Sequence, residues 1–454
     1  MTRTNRFDLI AIGTGPSAST VAKKSADDGR RVAVIESREF GGTCALRGCN
    51  PKKVYTNAAD LIDRTRGGQD KFVDSEGLRV NWAKLLEFKR EFTEPVLEHS
   101  EDSFQKRGIT TFHGEASFVD PTTIRVGEHQ LSADRIFVGV GAHPRPLDVP
   151  GGELAIHSDE FLELESIPRR IVFIGGGYIS MEFACVAARC GSQVVVLERS
   201  DRVLSPFDPD LVKQLVQYGM SRGLDVRTDA EVAEISQADH GSFAVQYGHA
   251  DRKHETLQAD LVVHGAGRVP NLDGLNLKAG NVAFGDDGIQ VDSSMRSVSN
   301  PSVFSAGDCA DTGKPRLTPV ANEEARVVVN NLFAEHPQDR PDYGQVPKVA
   351  FTVPPIASVG MSQHQAEESH NVVVHHQDTS SSGSVRKSLQ PCGGYKLLID
   401  KDSDRILGAH LIGPAADETI NLFALAMKFG LTAADIKSTL FAFPTHASDV
   451  RQML

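Results

Sequence analysis

Cys44 and Cys49 lie five positions apart in the run Gly41-Gly-Thr-Cys-Ala-Leu-Arg-Gly-Cys-Asn-Pro-Lys-Lys53. Thiols at that spacing can trade electrons as a dithiol and disulfide, join a metal site, or pack as two reduced residues near a helix start. A structural zinc site takes four ligands, usually as two closely spaced pairs. The other cysteines, Cys185, Cys190, Cys309 and Cys392, are scattered without a histidine at a matching distance, so no metal is expected. Cys185 and Cys190 read as small core residues. Redox use makes a geometric demand. On a regular helix, five steps turn a side chain by about 140° and hold the Cα atoms beyond the ~7 Å limit of a disulfide. Gly48 supplies backbone freedom and Pro51 lacks an amide hydrogen, so the helix can be distorted there.

The elements ahead of this pair explain where it must sit. Phe7-Asp-Leu-Ile-Ala-Ile12 reads as a strand, Gly13-Thr-Gly15-Pro16-Ser17-Ala18 as a phosphate turn opening a helix, and Val32-Ala-Val-Ile-Glu36 as the next strand. Gly13 makes the turn, Gly15 admits a pyrophosphate, Ala18 lets helix and strand approach, and Glu36 is placed for a ribose hydroxyl. The pattern recurs at Arg170-Ile-Val-Phe-Ile, Gly175-Gly-Gly177-Tyr-Ile-Ser180, a helix through Cys190, and Val194-Val-Val-Leu-Glu198. The interval from Gly13 to Glu36 equals that from Gly175 to Glu198, so each unit is expected to hold its own nucleotide. Two such sites beside a dithiol imply electron transfer between cofactors.

Bulk properties narrow the class. The 454 residues suggest about three domains. A net charge of −12 argues against nucleic acid as partner. No uninterrupted apolar stretch approaches ~18 residues and no apolar h-region of a signal peptide precedes Gly13, so neither membrane spanning nor secretion is expected and the default is cytoplasmic. In that reducing setting a close cysteine pair favours catalysis over a structural staple.

Together these motifs resemble the FAD-dependent pyridine nucleotide-disulfide oxidoreductases (class I), the family of glutathione reductase, dihydrolipoamide dehydrogenase and mercuric reductase. The resemblance covers essentially the whole chain. It extends to Val138-Gly-Val-Gly-Ala142, Gly265-Ala-Gly-Arg268-Val-Pro270-Asn271, Val303-Phe-Ser-Ala-Gly-Asp308, Leu317-Thr-Pro-Val-Ala321 and Phe351-Thr through Val359-Gly360. It implies an α/β chain with two Rossmann-like FAD/NAD(P)-binding domains plus a C-terminal α+β dimerisation domain, working as a homodimer with shared active sites. The expected segments are 1–147 and 269–338 for FAD, 148–268 for NAD(P), and 339–454 for the interface.

What the resemblance implies for single residues follows. Cys44 and Cys49 form the redox disulfide, Cys49 facing the flavin and Cys44 attacking the substrate. Lys52 and Glu182 are the ion pair near the reactive edge of the flavin. FAD is met by Gly13, Gly15, Pro16, Ser17, Glu36, Gly42, Thr43, Lys53, Gly141, Asp308, Val320 and Ala321, with Asp308 on the ribityl chain. The nicotinamide nucleotide is met by Gly175, Gly177, Tyr178, Ile179, Glu198, Arg199 and Gly267, Tyr178 serving as a lid. Glu198 favours NADH by repelling an extra phosphate. Arg199 keeps NADPH possible, although the second arginine of NADPH-using relatives is here Ser205.

The C-terminal segment departs from the family. Phe443 stands where the acid-base histidine belongs and Ser448 where its glutamate belongs, in Phe443-Pro-Thr-His446-Ala-Ser-Asp449. If a helix begins at Pro444, His446 shares a face with Phe443, and His446 oriented by Asp449 is a candidate substitute acid. The chain also lacks the terminal cysteine pair of mercuric reductases, which disfavours mercury. Arg326 and Lys23 match positions that contact glutathione, but lysine lacks the bidentate fork, and the expected helix Glu91 to Arg107 contains no tyrosine. The expected activity is therefore NAD(P)H-dependent reduction of a small disulfide, glutathione-reductase-like with the disulfide unnamed. The alternative is an NAD(P)H-oxidising flavoprotein that reduces a quinone, metal ion or other non-disulfide acceptor. Beyond a polar linker at Glu335–Asp342, strands near Tyr395–Ile399 and Ile406–Leu411 and helices from Glu418 and Ala433 are expected, with Ser380–Ser384 a flexible loop.

Overall fold

Leu9, Ile10, Ala11 and Ile12 are all buried, which is what a parallel strand covered on both faces requires. In the computed structural model, which describes residues 5–248 and 254–454, this strand, Asn5–Ile12, is central to a sheet. Its parallel neighbours are Val32–Glu36 and His129–Val138, with Thr110–His113 and Val303–Ser305 outside them. The late strand Val303–Ser305 brings Asp308 to the carboxyl end of this sheet, the end where nucleotides bind in open α/β folds. These elements belong to one compact unit made of Met1–Pro51, Lys89–Arg145 and Arg268–Tyr343. Its cores lie on either side of the sheet, around Phe137 and Phe304 and around Ile10 and Ile136.

The second unit contains Lys52–Phe88, Pro146–Gly267 and Gly344–Leu454. It repeats the parallel pattern in the order Leu224–Arg227, Gln193–Leu197, Arg170–Ile174, Leu261–His264. The helix Tyr178–Arg189 follows Arg170–Ile174, and Cys185 on it is buried, as a core residue should be. From Lys348 the pattern changes to a five-stranded antiparallel sheet ordered Lys348–Ala350, Ile356–Gly360, Ile406–Ile412, Gly394–Asp400, Val372–Asp378. The helices Ala416–Lys428, Ala433–Ser438 and His446–Met453 follow it.

Several local expectations are corrected. The helix expected over Glu91 to Arg107 spans Trp82–Gln105. It starts behind Asn81, whose Oδ1 accepts the Lys84 amide at 3.2 Å, a cap that the sequence reading passed over. The serine-rich stretch is ordered: Ser382 caps a short helix, Gly383–Lys387. The last helix begins at His446, two residues beyond Pro444, because Thr445 caps it in a reciprocal pair with Ser448. The linker Glu335–Asp342 is irregular but tethered, Asp339 accepting from Arg326 and Asn330.

A buried ionic cluster anchors the second unit. Arg189 and Asp63 are both about 1–2% exposed and pair at 3.2 Å. Tyr218 donates to Asp63 at 2.7 Å, Gln390 donates to it at 3.2 Å, and Arg189 donates to the Val353 carbonyl at 2.9 Å. Removing Arg189 leaves the buried Asp63 carboxylate with the longer 3.5 Å pairing to Arg222 as its remaining salt bridge among the described residues. Arg189→Leu is therefore expected to lower stability by about 3–5 kcal/mol, read as a fall in the urea midpoint of this unit. The double change with Asp63→Asn should recover part of the loss, and an unchanged midpoint in the single variant contradicts the assignment.

Candidate active site

The cysteine spacing is resolved by breaking the helix. Gly42–Leu46 forms one short helix carrying Cys44, the chain leaves it at Arg47, and a second helix, Cys49–Gly67, opens with Cys49. Gly48 sits at the break, where a Cβ would come within 2.9 Å of the Thr43 carbonyl oxygen. Neither cysteine is in a disulfide here; Cys44 is half-buried and Cys49 exposed. Cys44 Sγ lies 3.4 Å from Thr318 Oγ1, at the first turn of the helix Thr318–Asn331. Hydrogen bonding from Cys49 lowers the Cys44 pKa to about 6, with burial opposing and Thr318 assisting. Thr318 was quoted in the sequence motif without a role. Its signal was its place directly before Pro319 at a helix start, where hydroxyls and amides gather.

The unit that holds the dithiol also contains the residues expected to meet FAD, with the exception of Lys53. The helix Pro16–Asp27 has no side-chain cap and no acid in its first turn, and the space before Gly15 is open to beyond 4 Å. Its free amides form an anion seat. Gly13 adopts φ +100, and a Cβ there would lie 2.4 Å from the Gly139 carbonyl oxygen, so only glycine permits the turn. Glu36 accepts from Thr14 Oγ1 at 2.6 Å, and Thr14 in turn accepts from the Gly41 amide at 3.1 Å, tying the nucleotide turn to the Gly42-Thr43-Cys44 segment. Ser17, Val320 and Ala321 are buried, and Gly141 accepts from the Asn271 amide. Asp308 has no hydrogen bond or ion pair among the described residues. Burial pushes its carboxyl above the usual range while Arg268 and Arg316 pull it down. A carboxyl left without partners beside a free helix N-terminus fits a polyhydroxyl chain carrying a pyrophosphate.

The second unit holds the remaining candidates. Lys52 and Glu182, whose side chains are 9% and 1% exposed, pair at 2.6 Å. Lys52 Nζ also lies 4.9 Å from the Tyr178 ring centroid, and Glu182 Oε1 accepts the Phe351 amide at 2.8 Å. This contact gives the Phe351-Thr motif a role that its residue types alone did not reveal. Lys53 faces Asp417 at 3.5 Å and the Phe351 ring at 3.8 Å. The helix Tyr178–Arg189, with Ile179 in its first turn, again lacks a side-chain cap and a first-turn acid. Gly175 adopts φ +92 against Ala266, next to Gly267, and the nearest atom to a Cβ at Gly177 would be 3.8 Å away. Glu198 accepts the Gly176 amide at 2.6 Å, and Arg199 is exposed. These features fit a second dinucleotide.

The C-terminal candidates lie on and just before the helix His446–Met453. His446 Nδ1 lies 4.0 Å from Asp449 Oδ2, and Phe443 is 85% exposed. Ser448, standing where a glutamate would orient a histidine, is bound to Thr445 at the helix cap. Arg326 is committed to Glu323 at 2.8 Å and Asp339 at 3.1 Å. Lys23 packs over the Phe104 ring.

Residues 7–325 match the family described as pyridine nucleotide-disulphide oxidoreductase, and residues 346–454 match its dimerisation domain. Among curated relatives, a glutathione reductase of Burkholderia cepacia is 32% identical, with 98% of this chain and 97% of the relative aligned. One of Schizosaccharomyces pombe is 30% identical over 98% of both. A mercuric reductase of Lysinibacillus sphaericus is 29% identical, covering 98% of this chain and 82% of the relative. A solved Cu(II) complex of the HOCl-induced flavoprotein disulfide reductase RclA from Escherichia coli aligns at TM-score 0.88 and 25% identity over 99% of both chains.

In the reduced protein, the alkylation rate of Cys44 should rise with pH through a midpoint near 6, since the thiolate is the reactive form and persists down to its pKa. Site-resolved mass spectrometry of pulse-alkylated samples reads this directly. Thr318→Val should move the midpoint upward, and a wild-type midpoint at the ordinary ~8.5 contradicts the geometry.

Proposed function

For a chain that belongs to the pyridine nucleotide-disulphide oxidoreductases and uses FAD and NAD(P)H, we propose that the terminal acceptor is a small disulfide reduced by Cys44 and Cys49. The observation that carries this reading is the Cys44 sulfur, held toward thiolate by Cys49 and Thr318. FAD, when bound, would supply the two-electron chemistry that links the nicotinamide to the cysteine pair. The chain's own residues account for the rest. The helix N-terminus at Gly15, together with Glu36 and Asp308, would hold FAD, while that at Gly177, with Glu198, would hold the coenzyme. Lys52, paired with Glu182, is a buried cation suited to negative charge developing nearby.

The thiol chemistry balances without a further reagent. The Cys44 thiolate attacks one sulfur of the substrate disulfide, forming a mixed disulfide and expelling one substrate thiolate. Cys49 then attacks Cys44 Sγ, closing Cys44–Cys49 and expelling the second. The two protons of the dithiol end on the two product thiols. His446 is the nearest equivalent in sequence to the missing acid, although 4.0 Å to Asp449 is a loose pairing.

NADH is the proposed coenzyme, because Glu198 would repel a 2′-phosphate. A homodimer and a cytoplasmic setting are part of the same reading. Leu440, Phe443 and Phe429, exposed by 90%, 85% and 71%, give the matched dimerisation domain apolar surface to bury. Among the described residues no helix is long and apolar enough to cross a membrane. In domain terms, 1–147 and 269–338 serve FAD, 148–268 the coenzyme, and 339–454 the interface. Glutathione itself is weakened as the disulfide, since Arg326 already has two carboxylates on its guanidinium. A second reading, reduction of a metal ion or quinone, is favoured by one feature: Phe443 cannot protonate a leaving thiolate, and such acceptors release none.

Steady-state turnover separates the two readings. Cys44→Ser should abolish NADH-dependent reduction of every disulfide tested while FAD remains bound, and disulfide turnover that survives the change contradicts the proposal. His446→Ala should lower disulfide turnover by about 10²-fold if that histidine is the acid, and leave it unchanged if it is not.

A further inference from the structure

The loop that joins the strand Gln193–Leu197 to the helix Pro209–Met220 is closed on itself. Glu198, at its start, is held by three protein donors: the Gly176 amide at 2.6 Å on Oε2, and the Ser200 amide at 2.8 Å and hydroxyl at 2.6 Å on Oε1. Ser200 Oγ also lies 3.1 Å from the Arg202 carbonyl oxygen. Arg202, one of two arginines in this loop, turns its guanidinium inward and donates to the carbonyls of Ser205 at 2.8 Å and Phe207 at 3.2 Å. Beneath it, the Leu204 amide donates to the Gly176 carbonyl, and the Val203 side chain fills the space that a Cβ on Gly176 would need.

The far end is pinned just as firmly. Asp208 caps the following helix with Oδ1, accepting from the Asp210 and Leu211 amides. Its Oδ2 pairs at 2.8 Å with Lys396 from the C-terminal sheet, both side chains being about 3–4% exposed. The loop therefore has little freedom to reorganise around a ligand, and the charges of Glu198, Arg202 and Asp208 are committed before any nucleotide arrives.

We infer that Ser200 and Arg202 determine coenzyme specificity as positioning residues: Ser200 fixes the Glu198 carboxylate, and Arg202 is spent on loop carbonyls rather than left to neutralise a 2′-phosphate. This rests on the reading that Glu198 meets the ribose of NADH. A phosphate entering here meets a held anion, with Arg199 the only other arginine of the loop. A ribose hydroxyl meets a carboxylate that pays no cost of ordering.

The oxidised coenzymes NAD+ and NADP+ test this on the FAD-loaded protein, because they bind without reducing it. Calorimetry should give a wild-type preference for NAD+ of about tenfold or more. Ser200→Ala should cut the NAD+/NADP+ preference about fivefold, the size of one hydrogen bond, chiefly by weakening NAD+. Arg202→Ala should leave NADP+ binding no weaker, because that guanidinium serves loop carbonyls and not a phosphate, and Ser200→Thr, which keeps a hydroxyl, should stay near wild type. A wild type that prefers NADP+ overturns the underlying reading of Glu198. If the wild type prefers NAD+ but Ser200→Ala leaves the preference unchanged, or weakens both coenzymes equally, the inference alone is overturned.

Discussion

The contact on which the remaining chemistry depends is the hydrogen bond between two sulfurs that an unbroken helix would hold apart. Ending the Gly42–Leu46 helix at Arg47 and starting another at Cys49 is made possible by Gly48, whose missing side chain leaves room for the Thr43 carbonyl. Once the thiols meet, Cys49 and Thr318 together outweigh the burial that would otherwise keep Cys44 protonated. A thiolate at neutral pH is then a consequence of backbone geometry, without a cationic side chain in direct contact being required. The helix N-terminus that bears Thr318 adds its partial positive charge to the same point.

Much of this was legible in the sequence because glycine positions and strand ends obey local rules. Gly13, Gly175, Glu36 and Glu198 announced two nucleotide folds at equal intervals, and both sheets carry those residues where the spacing required. Less legible was whatever depends on partners distant in sequence. Nothing near Glu182 or Lys52 marks them as buried, and only the family resemblance implied the pair that the helices Cys49–Gly67 and Tyr178–Arg189 bring together. The Asp63–Arg189 pair was missed for the same reason. Cap positions explain the boundary errors. Asn81, Ser382 and Thr445 each start a helix through one side-chain bond, a signal of a single residue against a background of many polar ones.

The acceptor side is where the chain departs from what the family resemblance implies. An exposed phenyl ring stands where the resemblance places a proton donor, and the arginine it places against a substrate carboxylate is held by Glu323 and Asp339. On the function proposed above, the electron-transfer parts follow the family while the acceptor side departs from it. Relatives that include both glutathione and mercuric reductases are consistent with such a division.

The central claim is that electrons from the nicotinamide coenzyme come to rest on Cys44 and Cys49. Anaerobic addition of one equivalent of NADH to the oxidised, FAD-loaded protein, followed by alkylation and peptide mass spectrometry, measures this directly. The account predicts two newly alkylated thiols per chain, both within the Gly41–Lys53 segment. Full oxidation of NADH with no new thiol at either position would contradict it.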